Sequence, residues 1–441
     1  MKNIFFIGLL VFSTATFAQK TATIASYNLQ QAIDYALQNN YKSINAVRDI
    51  EASKQKKWET TATGLPQING GLDYQNYLKQ PIILADFNND GVNEEFVFGT
   101  KQNFKASGTL SQLIFDGSYI VALQASKVYL QIYENAKKKT DADIKETLTT
   151  AYGNVLLAEE SIKILEQNKL ILEKNYNEVS QIYKNGLAEE ESVEQIAITL
   201  ATVKNSLNNV IRLREIAIKM LKINMGLALE TEIKLTENLE NLAKTNLENG
   251  MKNTSFEVTN NIDYQIMSSL VTQKKLFLKL EKSKALPTLS TFLNYGVTAN
   301  YDTFNFLNTN QKWFGSSIFG ASLSIPIFSS FGRNAKTAQA KIAYEQAQTQ
   351  QLETEQLIKL QYEKCKSDFE FSTEEFATAK SNLKLAERIE NKQQIKFKEG
   401  LSTSFEFSEA QRQLYATQQN YLQSMVNVVN KRAALERVIN P

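Results

Sequence analysis

Apolar and small side chains recur along the middle of the first half in alternating steps of three and four. They fall at Leu148, Ala151, Val155, Ala158, Ile162, Leu165, Leu172, Tyr176, Val179 and Tyr183, with only Lys169 out of pattern. This is the heptad spacing of helices that pack in a left-handed coiled coil. Shifted by 214, the stripe returns at Tyr362, Cys365, Phe369, Phe376, Ala379, Leu383, Ala386 and Phe397. Each copy runs into a matching turn, YKNGL (Tyr183–Leu187) and FKEGL (Phe397–Leu401). Beyond the turns come second stripes: Val193, Ile196, Leu200, Val203, Leu207 and Val210; then Phe407, Ala410, Leu414, Tyr421, Val428 and Leu435. The pattern predicts two antiparallel helix pairs, over about 117–185 with 189–226, and about 333–399 with 403–439. A helix of roughly 69 residues rises about 100 Å.

Upstream of each long helix the period changes to two. Leu72, Tyr74 and Leu78 share one face of a strand, with Gln67, Asn69, Asp73 and Gln75 on the other. In the second half Leu289, Leu293, Tyr295 and Val297 oppose Ser290, Asn294 and Thr298. Four strands are predicted, at about 66–78, 103–115, 287–299 and 318–328. Their lengths suit tilted membrane strands of about 9–11 residues. Pro66 and Pro287 mark helix-to-strand corners, because proline removes a helical donor and biases its predecessor toward extended geometry. The first helix is expected to run from about Leu29 to Thr63 without a break.

The order of elements is therefore written twice. AIDYA (Ala32–Ala36) matches NIDYQ (Asn261–Gln265), GLPQINGGLDY (Gly64–Tyr74) matches ALPTLSTFLNY (Ala285–Tyr295), and TLSQLIF (Thr109–Phe115) matches SLSIPIF (Ser322–Phe328). Residues 19–227 form repeat 1 and 257–441 repeat 2, with a polar excursion at 228–256. Residues 1–18 read as a signal peptide: Lys2, an apolar run at Ile4–Phe17, then cleavage after Ala18.

Composition narrows the chemistry. The 441 residues carry a formal charge of +2 with both signs mixed, which gives no electrostatic case for nucleic acid. There is no histidine and one cysteine, Cys365, so His-based catalysis, Cys/His metal clusters and intrachain disulfides are excluded. No cofactor and no catalytic residue is expected. Long duplicated helices favour transport or scaffolding over a compact enzyme.

Together these features resemble the TolC-like outer-membrane efflux and secretion channels. The resemblance covers almost the whole chain after residue 18, through two repeats, two strands per repeat and the helix-turn-helix tips YKNGLAEEESVEQI and FKEGLSTSFEFSEAQ. It implies a mainly α fold with a small β membrane part. Tandem long antiparallel coiled-coil helices would form an α-barrel, and four strands per chain would contribute to a trimeric twelve-strand outer-membrane β-barrel. The part independent of the resemblance is that four strands cannot close alone. Single-chain membrane barrels begin at about eight strands, and an open edge in lipid leaves backbone groups unpaired. The resemblance further implies a passive trans-periplasmic duct in a Gram-negative-type outer membrane. Its partners would be outer-membrane lipid, a periplasmic adaptor and an inner-membrane transporter of RND, ABC or MFS type. A coiled-coil scaffold without a pore is the alternative, but it leaves the strand pairs unexplained.

The resemblance also places candidate sites. The tip turns, with Tyr183, Gly186, Leu187, Phe397, Gly400 and Leu401, would dock the adaptor. Glu406 and Glu409 match the family's acidic entrance ring; the alternative is that they are solvated helix-end acids, favoured by the macrodipole. Ser402 stands where better-known members carry an arginine latch, and Ser192 where an acid is common. Glu189, Glu190, Glu191 and Glu194 keep the first tip acidic. In Asp86–Glu95, Asp86, Asn88 and Asp90 precede Gly91 as in half of a calcium loop, but Val97 stands at the closing position, so an exposed polar loop is preferred. Trp313 and Phe314 precede the fourth strand, where an interfacial girdle would sit; an exposed loop tip is the alternative.

Overall fold

A computed structural model describes residues 25–86, 91, 93–248 and 256–439. The signal-peptide residues, Asn88 and Asp90 lie outside them.

The first half opens with β1 (Ala25–Tyr27), α1 (Leu29–Asn39) and α2 (Tyr41–Ala62). The expected single helix is therefore two. At Asn40 the backbone is extended (φ −63°, ψ 136°), and the side chain accepts from Lys42 N at 2.8 Å, capping α2. Strand β2 (Gln67–Asn76) follows, then a small hairpin of β3 (Ile82–Ala85) and β4 (Glu94–Val97), and β5 (Gln102–Asp116). The hairpin was not anticipated from the alternation. Next come α3 (Gly117–Lys184), α4 (Glu190–Met225), β6 (Ile233–Leu235) and α5 (Leu239–Glu248). Repeat 2 comprises α6 (Ile262–Ser283), β7 (Thr288–Tyr301), β8 (Phe314–Ser324), α7 (Gly332–Lys398) and α8 (Ser404–Ile439).

The equivalence of AIDYA with NIDYQ is corrected by these elements. Helices α2 and α6 both have 22 residues, and each begins after an asparagine cap, Asn40 and Asn261. Their offset is the same 221 that relates the proline corners. AIDYA belongs to α1, which precedes the duplicated unit, and the resemblance to NIDYQ is one of helix-start composition. The corners repeat bond for bond. Leu65 N donates to Ala62 O and Leu286 N to Ser283 O, both at 3.0 Å, one residue before Pro66 and Pro287.

The chain packs as two compact units. Among the described residues, one contains 37–86, 91, 93–147, 256–377 and 430–439, the other 25–36, 148–248 and 378–429. The first holds an antiparallel sheet of order β2-β5-β7-β8 with both outer edges open. Helix α3 is held to α2 by the Tyr119 hydroxyl, which donates to Thr61 O at 3.0 Å. It is held to α6 by Lys279 Nζ donating to Gln124 Oε1 at 3.1 Å, and by an ion pair between Lys139 and Asp263. Gly64 permits the first contact, since a Cβ there would stand 2.2 Å from Tyr119 Cζ. Gly64→Ala is expected to cost about 1–3 kcal/mol by overpacking this corner, read as a lowered urea midpoint.

Strand β8 differs from expectation: it spans 314–324 where 318–328 was predicted. Pairing ends at Thr288 with Ser324 because β7 itself begins there, after Pro287, which has no N–H. In the matching TLSQLIF of β5 no proline intervenes, and Phe115 stays paired with Leu289.

In the second unit Leu165, Leu172 and Val179 of α3 pack with Ile196, Leu200, Val203 and Leu207 of α4. Each such side chain contributes roughly 1.5–3 kcal/mol on burial. The pair Arg214–Glu159 (2.7 Å) and the pair Lys204–Glu173 (2.9 Å) flank that seam. Strand β1 pairs in parallel with β6, and Glu237 Oε2 accepts from Leu29 N at 2.9 Å. The excursion is thereby sewn to the start of the described chain.

Candidate functional site

Two surfaces carry the unusual chemistry, and the first is the sheet. Opposed residues share a face, so Ile68–Leu110–Leu293–Phe319 is one row and Leu72–Ala106–Val297 another. Ile68, Leu72, Tyr295 and Phe319 are 80, 75, 60 and 75 % exposed. The opposite face is mostly polar, with Phe292, Phe314 and Ile318 as its apolar exceptions. There Asn294 Nδ2 donates to Thr109 Oγ1 at 2.7 Å, and Asn103 donates to Asn300. A sheet with one open apolar face and one hydrogen-bonded polar face is amphipathic across its thickness. No described helix is long and apolar enough to cross a membrane.

The second surface is the pair of tips. Gly186 and Gly400 adopt φ of 73° and 70°, the left-handed region that glycine enters without cost. Gly186 N donates to Tyr183 O (2.8 Å) and Leu187 N to Ile182 O (3.0 Å). Gly400 N donates to Phe397 O (3.1 Å) and Leu401 N to Lys396 O (2.8 Å). Both are Schellman turns, so the shared sequence YKNGL/FKEGL reflects shared backbone geometry. Leu187 and Leu401 project into solvent, Tyr183 is partly exposed, and Phe397 stacks on the fully buried Phe407 with centroids 5.1 Å apart. A cleft of about 1190 Å³ lies between the turns, floored by Val179, Ile182, Phe397 and Phe407 and rimmed by Glu178, Glu189, Glu191 and Lys398.

The acids of the second tip are engaged locally. Glu406 N donates to Thr403 Oγ1 at 3.2 Å, while Glu406 Oε2 accepts from Thr403 N at 2.9 Å. This is a capping box that starts α8. The Ser402 hydroxyl also donates to Glu406 at 2.9 Å, so Ser402 ties this turn down without the arginine of the family latch. The backbone N–H of Thr403, then the hydroxyls of Ser402 and Thr403, hold the Glu406 carboxyl below its ordinary value. The cap is complete above the ordinary glutamate pKa and fades only as pH falls through that lowered value. Glu409 pairs with Arg412 one turn on. In the first tip Glu189 caps α4 through its backbone alone, and Glu190 and Glu191 occupy the first turn. Ser192 N donates to Glu189 O at 3.1 Å. Thr403→Ala should cost about 1 kcal/mol and fray α8 locally, seen as faster amide exchange over 404–408.

The heptad reading missed a polar seam. Ser161, Asn168 and Asn175 repeat every seven residues on α3 and are each about 95 % buried. Asn168 Nδ2 donates to Gln418 Oε1 at 3.0 Å, and Ser161 lies 3.4 Å from Gln419 Oε1. Gln411, one heptad before Gln418, has no exposed surface. The gap noted at Lys169 is filled by Asn168. A seven-residue spacing of small polar residues beside the apolar stripe was the available signal.

Among the described residues no cluster of metal-ligating side chains occurs. The Asp86 carboxylate accepts from Gly91 N at 2.8 Å.

Residues 278–440 match the model of the family "outer membrane efflux protein". No curated protein matches the chain. Among solved structures the fold is similar to CusC (TM-score 0.75, 16 % identity, 94 % of this chain and 92 % of that one). It is similar also to the CmeC outer membrane channel of Campylobacter jejuni (0.74, 16 %, 93 % and 85 %). The outer membrane protein VceC of Vibrio cholerae gives 0.72 and 14 %, covering 93 % and 95 %. Residues 278–440 thus carry the sequence pattern of the outer membrane efflux proteins, and the described chain as a whole has the fold of the outer-membrane channels.

Proposed function

We propose that the protein is the outer-membrane exit duct of a tripartite efflux or secretion system, passive itself and fed by an inner-membrane transporter through a periplasmic adaptor. The observation that carries this reading is the sheet. It has one exposed apolar face, one polar face and two unpaired edges, β2 and β8. A strand edge cannot remain open in lipid. Pairing β8 of one copy with β2 of the next satisfies both edges, and three copies give twelve strands. The large apolar side chains exposed on α7, including Leu352, Leu357 and Leu360, also await cover. A pore-free scaffold would have no use for the exposed apolar rows.

The test uses a Cys365→Ser protein with single cysteines placed along β2 and β8. Oxidation in detergent should link copies through these edges into a closed three-copy species with conductance in planar bilayers. A water-soluble monomer whose edge cysteines react only with solvent would sink the proposal.

The tips are proposed as the adaptor-docking ends, with Leu187 and Leu401 as the exposed apolar contacts beside the cleft. Glu406 and Glu409 are proposed to lend the entrance a negative potential, partly offset by Arg412. The E406Q/E409Q double variant should lower cation preference and weaken multivalent-cation block without loss of assembly, since glutamine preserves the capping box. Unchanged selectivity would leave both as ordinary helix-start acids.

A further inference from the structure

The connection between β7 and β8 does not extend away from the sheet but lies on it. Its start is pinned by Asp302 Oδ1, which accepts from Lys101 N at 3.0 Å. Phe306 is 7 % exposed, its ring 5.9 Å from Tyr74 and 5.5 Å from Phe104, and Trp313 stands 5.7 Å from Phe104. Tyr74, Phe104 and Ala299 are opposed across β2, β5 and β7, and their parity is that of Leu72, Leu110 and Leu293. The segment is therefore folded over the apolar face. On its outer side Leu307 is 89 % exposed and Phe304, edge-on to Tyr74 and Phe306, 61 %, among Asn305, Asn308, Asn310 and Lys312.

Two physical limits fix what can surround it. Its backbone is irregular, with N–H and C=O groups that hydrocarbon cannot satisfy. Its exposed Phe304 and Leu307 continue the sheet's apolar rows, which bulk water does not favour. The layer that accommodates both is the lipid headgroup region, where amphipathic and aromatic groups concentrate. The position agrees. From Leu289 to Ala299 a tilted strand climbs about 25 Å, the height of a membrane barrel's apolar band.

We propose that Asp302–Lys312 is an interfacial anchor seated in the lipid headgroup layer of the distal leaflet. Phe304 and Leu307 insert toward the acyl chains, and Phe306 pins the segment to the sheet. This inference rests on the channel reading, and the experiment separates the two.

The full chain carrying Trp58→Phe and Trp313→Phe receives one reporter, Leu307→Trp or, on the sheet's apolar face, Phe319→Trp. Each is reconstituted in phosphatidylcholine vesicles brominated either near the headgroup or near the chain end. The Leu307→Trp protein should be quenched about twofold or more better by the headgroup-proximal bromines, and hardly by aqueous iodide. Adding Phe306→Ala should reverse that preference toward iodide. If Phe319→Trp is quenched by lipid while Leu307→Trp responds only to iodide, the anchor is wrong and the channel reading stands. Shielding of Leu307→Trp from both quenchers would mean cover by another chain, and also overturns the anchor. If neither reporter senses bromolipid, the channel reading falls and the anchor with it.

Discussion

Arginine at Leu293 is expected to abolish assembly in the membrane. Leu293 lies in the centre of the apolar rows, between Leu110 and Phe319, and is 45 % exposed. A cation on the lipid face near the bilayer midplane costs about 2–4 kcal/mol per site, and a proposed trimer carries the change three times. Ser322, opposed to Ser290 on the polar face, is the control, because arginine there meets water. The Leu293→Arg protein should be lost from the outer-membrane fraction and from the heat-modifiable species on gels, while Ser322→Arg retains both. Equal membrane yields for the two would contradict the assignment of faces.

The second large effect is expected at the tip. Phe407 has no exposed surface and stacks nearly parallel on Phe397, with an interplanar angle of 9°. Truncation to alanine removes most of a buried ring and leaves a void, which costs about 3–5 kcal/mol in a well-packed site. The loss falls on the turn that joins α7 to α8, so the tip should open locally before the chain unfolds. Limited proteolysis should cut the Phe407→Ala protein around residues 399–404, and its bilayer conductance should rise. Phe407→Leu should restore most of both. A Phe407→Ala protein as protease-resistant as the parent would show that the ring contributes little to the tip.

The long helices were legible because a heptad stripe is a local signal repeated many times, and no proline interrupts residues 117–184 or 332–398. Tip turns were legible for a related reason: a glycine in left-handed geometry after an aromatic leaves a short, specific trace. Other features depended on contacts distant in sequence. The break at Asn40 was hidden because neither proline nor glycine occurs between Leu29 and Thr63 to mark it. The end of β8 depends on where its partner β7 begins, at Thr288, and similarity to TLSQLIF carried the strand too far. The capping box Thr403-x-x-Glu406 was present in the sequence, yet Glu406 was weighed as an entrance acid or a solvated helix-end acid. The placement of 302–313 could not be read, because Phe306 is held by rings on β2 and β5 some 200 residues away.

The polar seam on α3 has a mechanical consequence. When leucines part, apolar area returns to water at roughly 25 cal/mol per Å². When Asn168 and Gln418 part, one amide hydrogen bond is exchanged for bonds to solvent, a net change of only about 1 kcal/mol. The face of α3 toward α4 is therefore a weld, while toward α8 the packed ring of Tyr415 shares the contact with amide pairs that part at lower cost. One helix carries both, seven residues at a time.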